Sequence, residues 1–229
     1  MAEFRRLHCF LCTGSGCVAT GALEVRDQLR AELDKHGLTD EIDIIETGCA
    51  GLCDRGPRMS IWPDEIYYQH LASKDLPKLV EEHFLKGRPY EPCRMTDAAT
   101  GDIIGTEMDF QFLSKQRRLV LDNCGVINPE HIEEYIAREG YEALGKALTQ
   151  MTPQGVIDEI KQAGIRGRGG AGFPSGLKWQ LLRDAPGDVK YIVCNGDEGD
   201  PGAFMDRSVL EGDPHRILEA MTIKGYLRP

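Results

Sequence analysis

Long apolar runs are missing from this 229-residue chain: no uncharged stretch approaches the roughly 20 residues that a membrane helix needs, which excludes direct membrane insertion. A secretion signal is missing as well, because Met1 to Arg6 leads into a Cys- and Gly-rich stretch and not into an apolar core, so the expected compartment is the cytoplasm. The chain has no block of basic residues. Its 27 Lys and Arg are outnumbered by 37 Asp and Glu, a net charge of −10, and phosphate-backbone binding would need clustered cations. Nucleic acid is therefore not an expected partner. There is no low-complexity tract and no internal repeat. With 41% hydrophobic residues the chain has enough for one large or two small cores.

What the chain has in excess is local. Five of its eight cysteines (Cys9, Cys12, Cys17, Cys49 and Cys53) fall in the first 53 residues, and five of its 26 glycines fall between Gly167 and Gly176. In a reducing compartment clustered cysteines point to metal ligands or redox groups before disulfides.

The pattern predicts an α/β chain. A strand is expected over Phe4 to Cys9, and a helix over Val18 to His36 from the spacing of Val18, Ala22, Leu29 and Leu33, closed by Gly37. A second strand covers Glu41 to Glu46. A hairpin joins Met59 to Trp62 and Ile66 to Tyr68 around Pro63-Asp64-Glu65, and a helix runs from Leu76 to Lys86. This small domain is expected to occupy residues 1–88. Pro89 onward is polar and without periodicity, which predicts a linker over 89–114 and a second domain over 115–229. Within it Asn128-Pro129, Thr152-Pro153 and Asp213-Pro214 each read as an N-cap followed by Pro in the first helical turn. The first of these helices is closed by Gly140, the second runs through Gln162, and another helix starts near Gly176. Lys190 to Cys194 reads as a β-run. One obvious strand is too few for a nucleotide domain, so the sequence is expected to be a fragment.

Four residues separate Cys12 from Cys17 and three separate Cys49 from Cys53, and two such loop-borne pairs suit a four-thiolate site. Each thiolate alone is an expensive buried charge, whereas two ferric ions and two sulfides leave a modest negative charge to be met by donors. Gly14, Gly16, Gly48 and Gly51 let backbone amides approach the sulfurs. Structural zinc on Cys9, Cys12, Cys49 and Cys53 remains open at this point, since Cys9 and Cys12 form a C-x2-C pair. A zinc-stabilised interaction module would follow from it. Cys9 otherwise reads as a core strand residue, and Cys93, Cys124 and Cys194 as buried small residues.

Two further stretches suggest ligand binding. Ile165 to Trp179, IRGRGGAGFPSGLKW, brings glycine backbone to a helix start, which favours phosphate. It is neither a Rossmann nor a Walker loop. Cys194 to Arg207, CNGDEGDPGAFMDR, places Asn195, Asp197, Glu198 and Asp200 at the end of the β-run, where open α/β sheets bind ligands. A flexible surface loop and a solvated acidic turn are the plainer readings of the two.

The strings CTGSGCVATGA and TGCAGLCDRGP resemble the thioredoxin-like 2Fe-2S ferredoxin domain found alone, in complex I and ahead of hydrogenase flavin subunits. That resemblance implies Cys12, Cys17, Cys49 and Cys53 as ligands of one 2Fe-2S cluster. The two later stretches resemble the flavin-carrying, NADH-oxidising subunit of complex I and its relatives in NAD(P)-linked hydrogenases and formate dehydrogenases. The implied fold is the ferredoxin domain followed by the N-terminal part of an α/β FMN/NADH-binding domain. The implied FMN residues are Gly167, Gly169, Lys178, Asn195, Asp197 and Glu198, with Gly170, Phe173 and Asp200 on the nucleotide side. The implied activity moves a hydride between NAD(H) or NADP(H) and FMN and single electrons through iron-sulfur centres, closest to an NADP-reducing or bifurcating hydrogenase. The implied partners are other subunits of a hydrogenase, formate dehydrogenase or complex I-like assembly. A rival expectation is an electron-carrying ferredoxin domain with a silent flavin half. The sequence departs from the family at Asp200, where Glu is usual, and at Gly196, where Ala is usual. It also lacks the second flavin-contacting glycine segment, the ubiquitin-like domain and the Cys-x-x-Cys-x-x-Cys run that helps hold a 4Fe-4S cluster.

Overall fold

The computed structural model describes residues 5–97, 100–106, 109 and 111–227. The chain divides into two compact units, Met1–Glu130 and His131–Pro229.

The first unit is built on a four-stranded mixed sheet. Strands β1 (Leu7–Cys12), β2 (Ile42–Thr47), β3 (Met59–Trp62) and β4 (Ile66–Tyr68) lie in the order β2-β1-β3-β4. β1 pairs parallel with β2, from Leu7↔Ile42 to Cys12↔Thr47, and antiparallel with β3, which pairs antiparallel with β4. The first strand therefore runs three residues past the expected end, and Phe4 lies outside the described residues. The expected helix over Val18–His36 is two helices, α1 (Ser15–Ala19) and α2 (Ala22–Lys35). The break is at Gly21, whose φ of +103° is open to glycine and strained for other residues. Val18 is accordingly exposed on α1, and Val25 takes its place in the core beside Leu29 and Leu33. α3 (Leu76–Leu79) continues as a wider turn through Val80–Leu85, and Gly87 follows with φ +67°. Leu7, Cys9 and Leu11 alternate into this core, as residues of a half-buried strand must.

Residues 89–114, expected as a linker, fold back onto the sheet where they are described. The Met95 N–H donates to the Tyr67 carbonyl at 2.8 Å, and Leu52, Tyr67, Met95, Ile104 and Leu113 form a second small core. These apolar residues are widely spaced and follow no period, so the pattern along the chain does not announce them. Asn123, Cys124 and Ile127 are also buried in this unit, which extends to residue 130 and not to 88.

The second unit is helical among the described residues: α5 (Ile132–Ala137), α6 (Glu142–Gln150), α7 (Pro153–Ala163), α8 (Ser175–Asp184), α9 (Met205–Gly212) and α10 (Pro214–Tyr226). A short helix over Gln111–Ser114, α4 in chain order, belongs to the first unit. The Thr152-Pro153 signal is realised: Thr152 Oγ1 accepts from the Gly155 N–H at 3.1 Å, and Gly164 closes α7 with φ +66°. α10 also starts at Pro214 as expected, but the Asp213 side chain makes no capping bond to the helix start and instead accepts from Arg216 Nε at 2.7 Å. The helix expected from Asn128-Pro129 begins later, at Ile132. Gly176 marks the crossing of α7 and α8, where a Cβ would stand 2.8 Å from the Lys161 backbone nitrogen. The expected β-run over Lys190–Cys194 is not a strand. No partner strand exists for it among the described residues of this unit, and without one its N–H and C=O groups have no ladder to join.

Candidate functional site

Parallel pairing of β1 with β2 brings the ends of both strands to one side of the sheet, so the loops that follow them are neighbours. Cys12 is the last residue of β1 and Cys17 lies on α1. Cys49 stands in the loop after β2 and Cys53 opens the short turn Cys53–Arg55. The four sulfurs form a contiguous run. Cys12 is hydrogen-bonded to both Cys17 and Cys49, and Cys49 Sγ lies 3.6 Å from Cys53 Sγ. Cys12 and Cys17 are buried, Cys49 is half-buried and Cys53 is exposed.

The glycines fit tightly around this run. A Cβ on Gly14 would stand 2.8 Å from Cys49 Cβ, one on Gly16 3.1 Å from Cys53 Sγ, and one on Gly56 2.8 Å from Cys17 Sγ. Gly51 has φ +91° and donates its N–H to Cys49 Sγ at 3.3 Å. The Arg58 backbone N–H donates to the Cys17 thiol. Gly56 and Arg58 were not singled out in the sequence, and the only signal for them is their nearness to Cys53.

Hydrogen bonding splits the thiols. The bond between Cys12 and Cys17 pushes Cys12 up and Cys17 down, that with Cys12 pushes Cys49 up, and burial followed by the Cys49 charge pushes Cys53 up to about 11. Metal capture here must therefore displace protons. Among the described residues no group of three or more His, Cys, Asp or Glu side chains is arranged around a common point to hold a metal ion. Cys49 Sγ and Cys53 Sγ stand 3.6 Å apart, and Gly16 and Gly56 close on Cys53 Sγ and Cys17 Sγ, so the four thiols gather in one glycine-lined set of loops, the donor set of a two-iron, two-sulfide group. The all-thiolate donor set and the amide donors fit the same group. Cys9 stands apart from them in the main core with Leu29 and Ile61, and burial pushes its thiol up, so the Cys9-containing zinc set is not assembled.

In the second unit the glycine loop is a pinched hairpin. The Gly167 N–H donates to the Phe173 carbonyl and the Ser175 N–H to the Ile165 carbonyl, both at 2.9 Å. Arg166 Nη1 donates to the Gly172 carbonyl at 3.1 Å. Positions that Cβ atoms would take on Gly169, Gly170 and Gly172 face open space, with Gly170 at φ +95°. Phe173 is exposed, and Lys178 stands exposed in the first turn of α8. A helix start behind open backbone, with Arg166, Arg168 and Lys178 nearby, fits a phosphate-bearing cofactor.

The acidic turn is bonded to itself and to α9. Asn195 Oδ1 accepts from the Asp197 N–H at 2.9 Å, and the exposed Asp200 accepts from the Ala203 N–H through its carbonyl. The Glu198 carboxylate accepts from the N–H groups of Met205 at 2.6 Å, Asp206 at 2.9 Å and Arg207 at 3.3 Å. Those backbone bonds, the Asp206 one foremost, hold it below the usual carboxylate range. Glu198 is thus engaged in starting α9. Gly196 packs on the same helix, where a Cβ would stand 2.7 Å from Leu210 Cδ1. Cys93 and Cys124 are buried, as expected, and Cys194 is exposed, contrary to expectation. A cavity of about 280 Å³ in this unit is lined by Leu182, Lys190, Ile192, Lys224, Gly225 and Leu227, none of which was singled out as a ligand residue.

Residues 2–83 match the thioredoxin-like 2Fe-2S ferredoxin family, and residues 160–228 match the Nuo51 FMN-binding domain. The chain is 60% identical over 112 residues to the NADP-reducing hydrogenase subunit HndC of Solidesulfovibrio fructosivorans, covering 49% of this chain and 22% of that protein. It is 42% identical over 99 residues to a component of the NADH-quinone oxidoreductase of Escherichia coli, covering 43% and 22%. To the NAD-reducing hydrogenase HoxS subunit alpha of Cupriavidus necator it is 30% identical over 234 residues, covering 95% and 34%. The chain thus spans about a fifth to a third of the length of these relatives. Among the described residues no helix is long and apolar enough to cross a membrane.

Proposed function

We propose that this chain, which joins a thioredoxin-like 2Fe-2S ferredoxin domain to part of a Nuo51-type FMN-binding domain, belongs to the flavin subunit of a cytoplasmic NAD(P)H-linked oxidoreductase. Its partners are the other subunits of a hydrogenase, formate dehydrogenase or complex I-like assembly. The observation that carries the reading is the run of four thiols in glycine-lined loops at the ends of β1 and β2.

Cys12, Cys17, Cys49 and Cys53 would hold a 2Fe-2S cluster, with the Gly51 and Arg58 N–H groups donating to its ligand sulfurs. Gly167, Gly169 and Gly170 would bring backbone against FMN, and Lys178 would meet its phosphate from the start of α8. Asn195 and Asp197 would face the flavin, while Phe173 and Asp200 would contact the nicotinamide nucleotide. Glu198 would contribute by fixing the acidic turn to α9. Bound FMN would supply two-electron exchange with the nicotinamide and one-electron exchange with iron-sulfur centres. The 4Fe-4S cluster of the family has no ligand run in this sequence.

A second reading, an electron carrier without flavin chemistry, is favoured by one observation: Lys190–Cys194 has no strand partner among the described residues, and Tyr191 and Val193 are exposed. Anaerobic reconstitution of the full chain with iron and sulfide, followed by iron, sulfide and FMN analysis, separates the readings. Two irons and two sulfides with near-equimolar FMN support the flavin subunit, whereas cluster without flavin supports the carrier. Zinc without acid-labile sulfide would defeat both.

A further inference from the structure

Arg58 is a buried cation beside the thiol run. Only 4% of it is exposed, although it follows Pro57 directly after the Cys49–Cys53 loop. Its backbone is tied to the site from both sides: the Cys12 N–H donates to the Arg58 carbonyl at 3.2 Å, and the Arg58 N–H donates to the Cys17 thiol. The guanidinium is approached by Gly125, in a stretch that lies beyond the expected ferredoxin domain of residues 1–88. Asn123, Cys124 and Ile127 are buried, and Gly125, at φ +84°, comes so close that a Cβ there would stand 3.2 Å from Arg58 Nη2 and 2.7 Å from Ala50 Cβ. Ala50 is the residue after Cys49, so one glycine closes on both the cation and the cluster loop.

We infer that Arg58, a buried cation closed on by Gly125, is the fixed positive charge that raises the reduction potential of the centre held by Cys12, Cys17, Cys49 and Cys53. The inference rests on the cluster reading given above. A guanidinium keeps its charge across the accessible pH range. A four-thiolate 2Fe-2S centre is negative and gains one more negative charge on reduction, so a fixed cation nearby favours the reduced form. Burial strengthens the effect because little water intervenes. In the thiol state the same charge favours thiolate at Cys12, Cys17 and Cys53. That influence is smaller than the thiol–thiol hydrogen bonds at the first two and than burial at the third.

The test uses the full 229-residue chain, reconstituted anaerobically, with iron and sulfide counted and the midpoint then measured by a redox titration followed in visible absorption. Arg58→Met removes the charge and keeps an apolar stem of similar length; Arg58→Lys keeps the charge. The expected result is wild-type cluster content in both. Arg58→Met should disfavour reduction at least tenfold, about 59 mV for one electron, with Arg58→Lys within about threefold of wild type. An Arg58→Met midpoint within threefold of wild type would overturn the inference, as would equal shifts in the two variants, which would make the role one of packing. If Arg58→Met holds no cluster and Arg58→Lys does, the charge requirement stands. If neither holds one, Arg58 is a packing residue and the inference fails. A wild-type chain that takes up no iron removes the cluster reading itself, at the stoichiometry step and before any potential is measured.

Discussion

At the scale of the residue, the steric fit around the thiols gives the sharpest expectations. Gly56→Ala would push a methyl group to within 2.8 Å of Cys17 Sγ, so the variant should fold with wild-type far-ultraviolet circular dichroism yet retain less than half the iron of wild type after reconstitution. Equal iron content would show that the loop yields. A second residue-scale expectation concerns His83, buried beneath the sheet. The Tyr90 N–H donates to Tyr68 Oη at 3.0 Å, Tyr68 Oη is hydrogen-bonded to His83 Nδ1 at 2.9 Å, and His83 Nε2 is hydrogen-bonded to Asp64 Oδ2 at 3.0 Å. Because the Asp64 carboxylate can only accept, a neutral imidazole here carries its proton on Nε2 and accepts from Tyr68 at Nδ1. Burial pushes the His83 pKa below its ordinary value, with the Arg94 and Arg6 charges adding to it and Asp64 opposing. The unfolded chain then binds a proton that the folded chain refuses. Stability is full above the unfolded value of about 6.5 and is lost as the pH falls below it. Urea unfolding at pH 7.5 and 5.5 should show this loss, and Asp64→Asn should steepen it. Tyr68→Phe should cost about 1–3 kcal/mol at pH 7.5, because it strands two buried polar groups.

At the scale of the element, the helix starts of the second unit depend on single side chains. Thr152→Ala removes the oxygen that accepts from the Gly155 N–H and should destabilise this unit by about 1 kcal/mol in urea titrations followed by Trp179 fluorescence. Glu198→Ala removes the acceptor of three N–H groups at the start of α9, which should fray that helix and raise amide exchange at Met205, Asp206 and Arg207. Unchanged exchange would return Glu198 to the turn as a free ligand group. α6 is started in a comparable way from a distance: the buried Glu219 of α10 accepts from the Tyr141 and Leu144 N–H groups at 3.1 and 3.0 Å and from Tyr135 Oη at 2.5 Å. A carboxylate at a helix N-terminus meets both the unpaired donors and the positive end of the helix dipole. The Thr152 cap was legible because it is three residues from its target. The Glu219 cap was not, because it acts across 75 residues.

At the scale of the whole molecule, the two units carry one tryptophan each, Trp62 in the first and Trp179 in the second. Cluster removal should therefore lower the melting transition reported by Trp62 in a Trp179→Phe chain. It should leave the transition reported by Trp179 in a Trp62→Phe chain unmoved, because a group held by one unit stabilises only that unit unless the two unfold together. Coincident shifts would show a single cooperative body. The sequence by itself determined what is local: the ferredoxin hairpin, the capped start of α7, the proline-marked start of α10, and the identity of four thiol residues in glycine-rich loops. Each is written in a period, a cap or a spacing of a few residues. Tertiary structure alone decided that Arg58 and Gly125 close over the loop, and that Met95, Ile104 and Leu113 pack residues of the expected linker into the first unit. It also decided that Lys190–Cys194 has no ladder to join. Those outcomes depend on which surfaces meet across tens of residues, where burial and hydrogen-bond satisfaction are settled by neighbours distant in the chain.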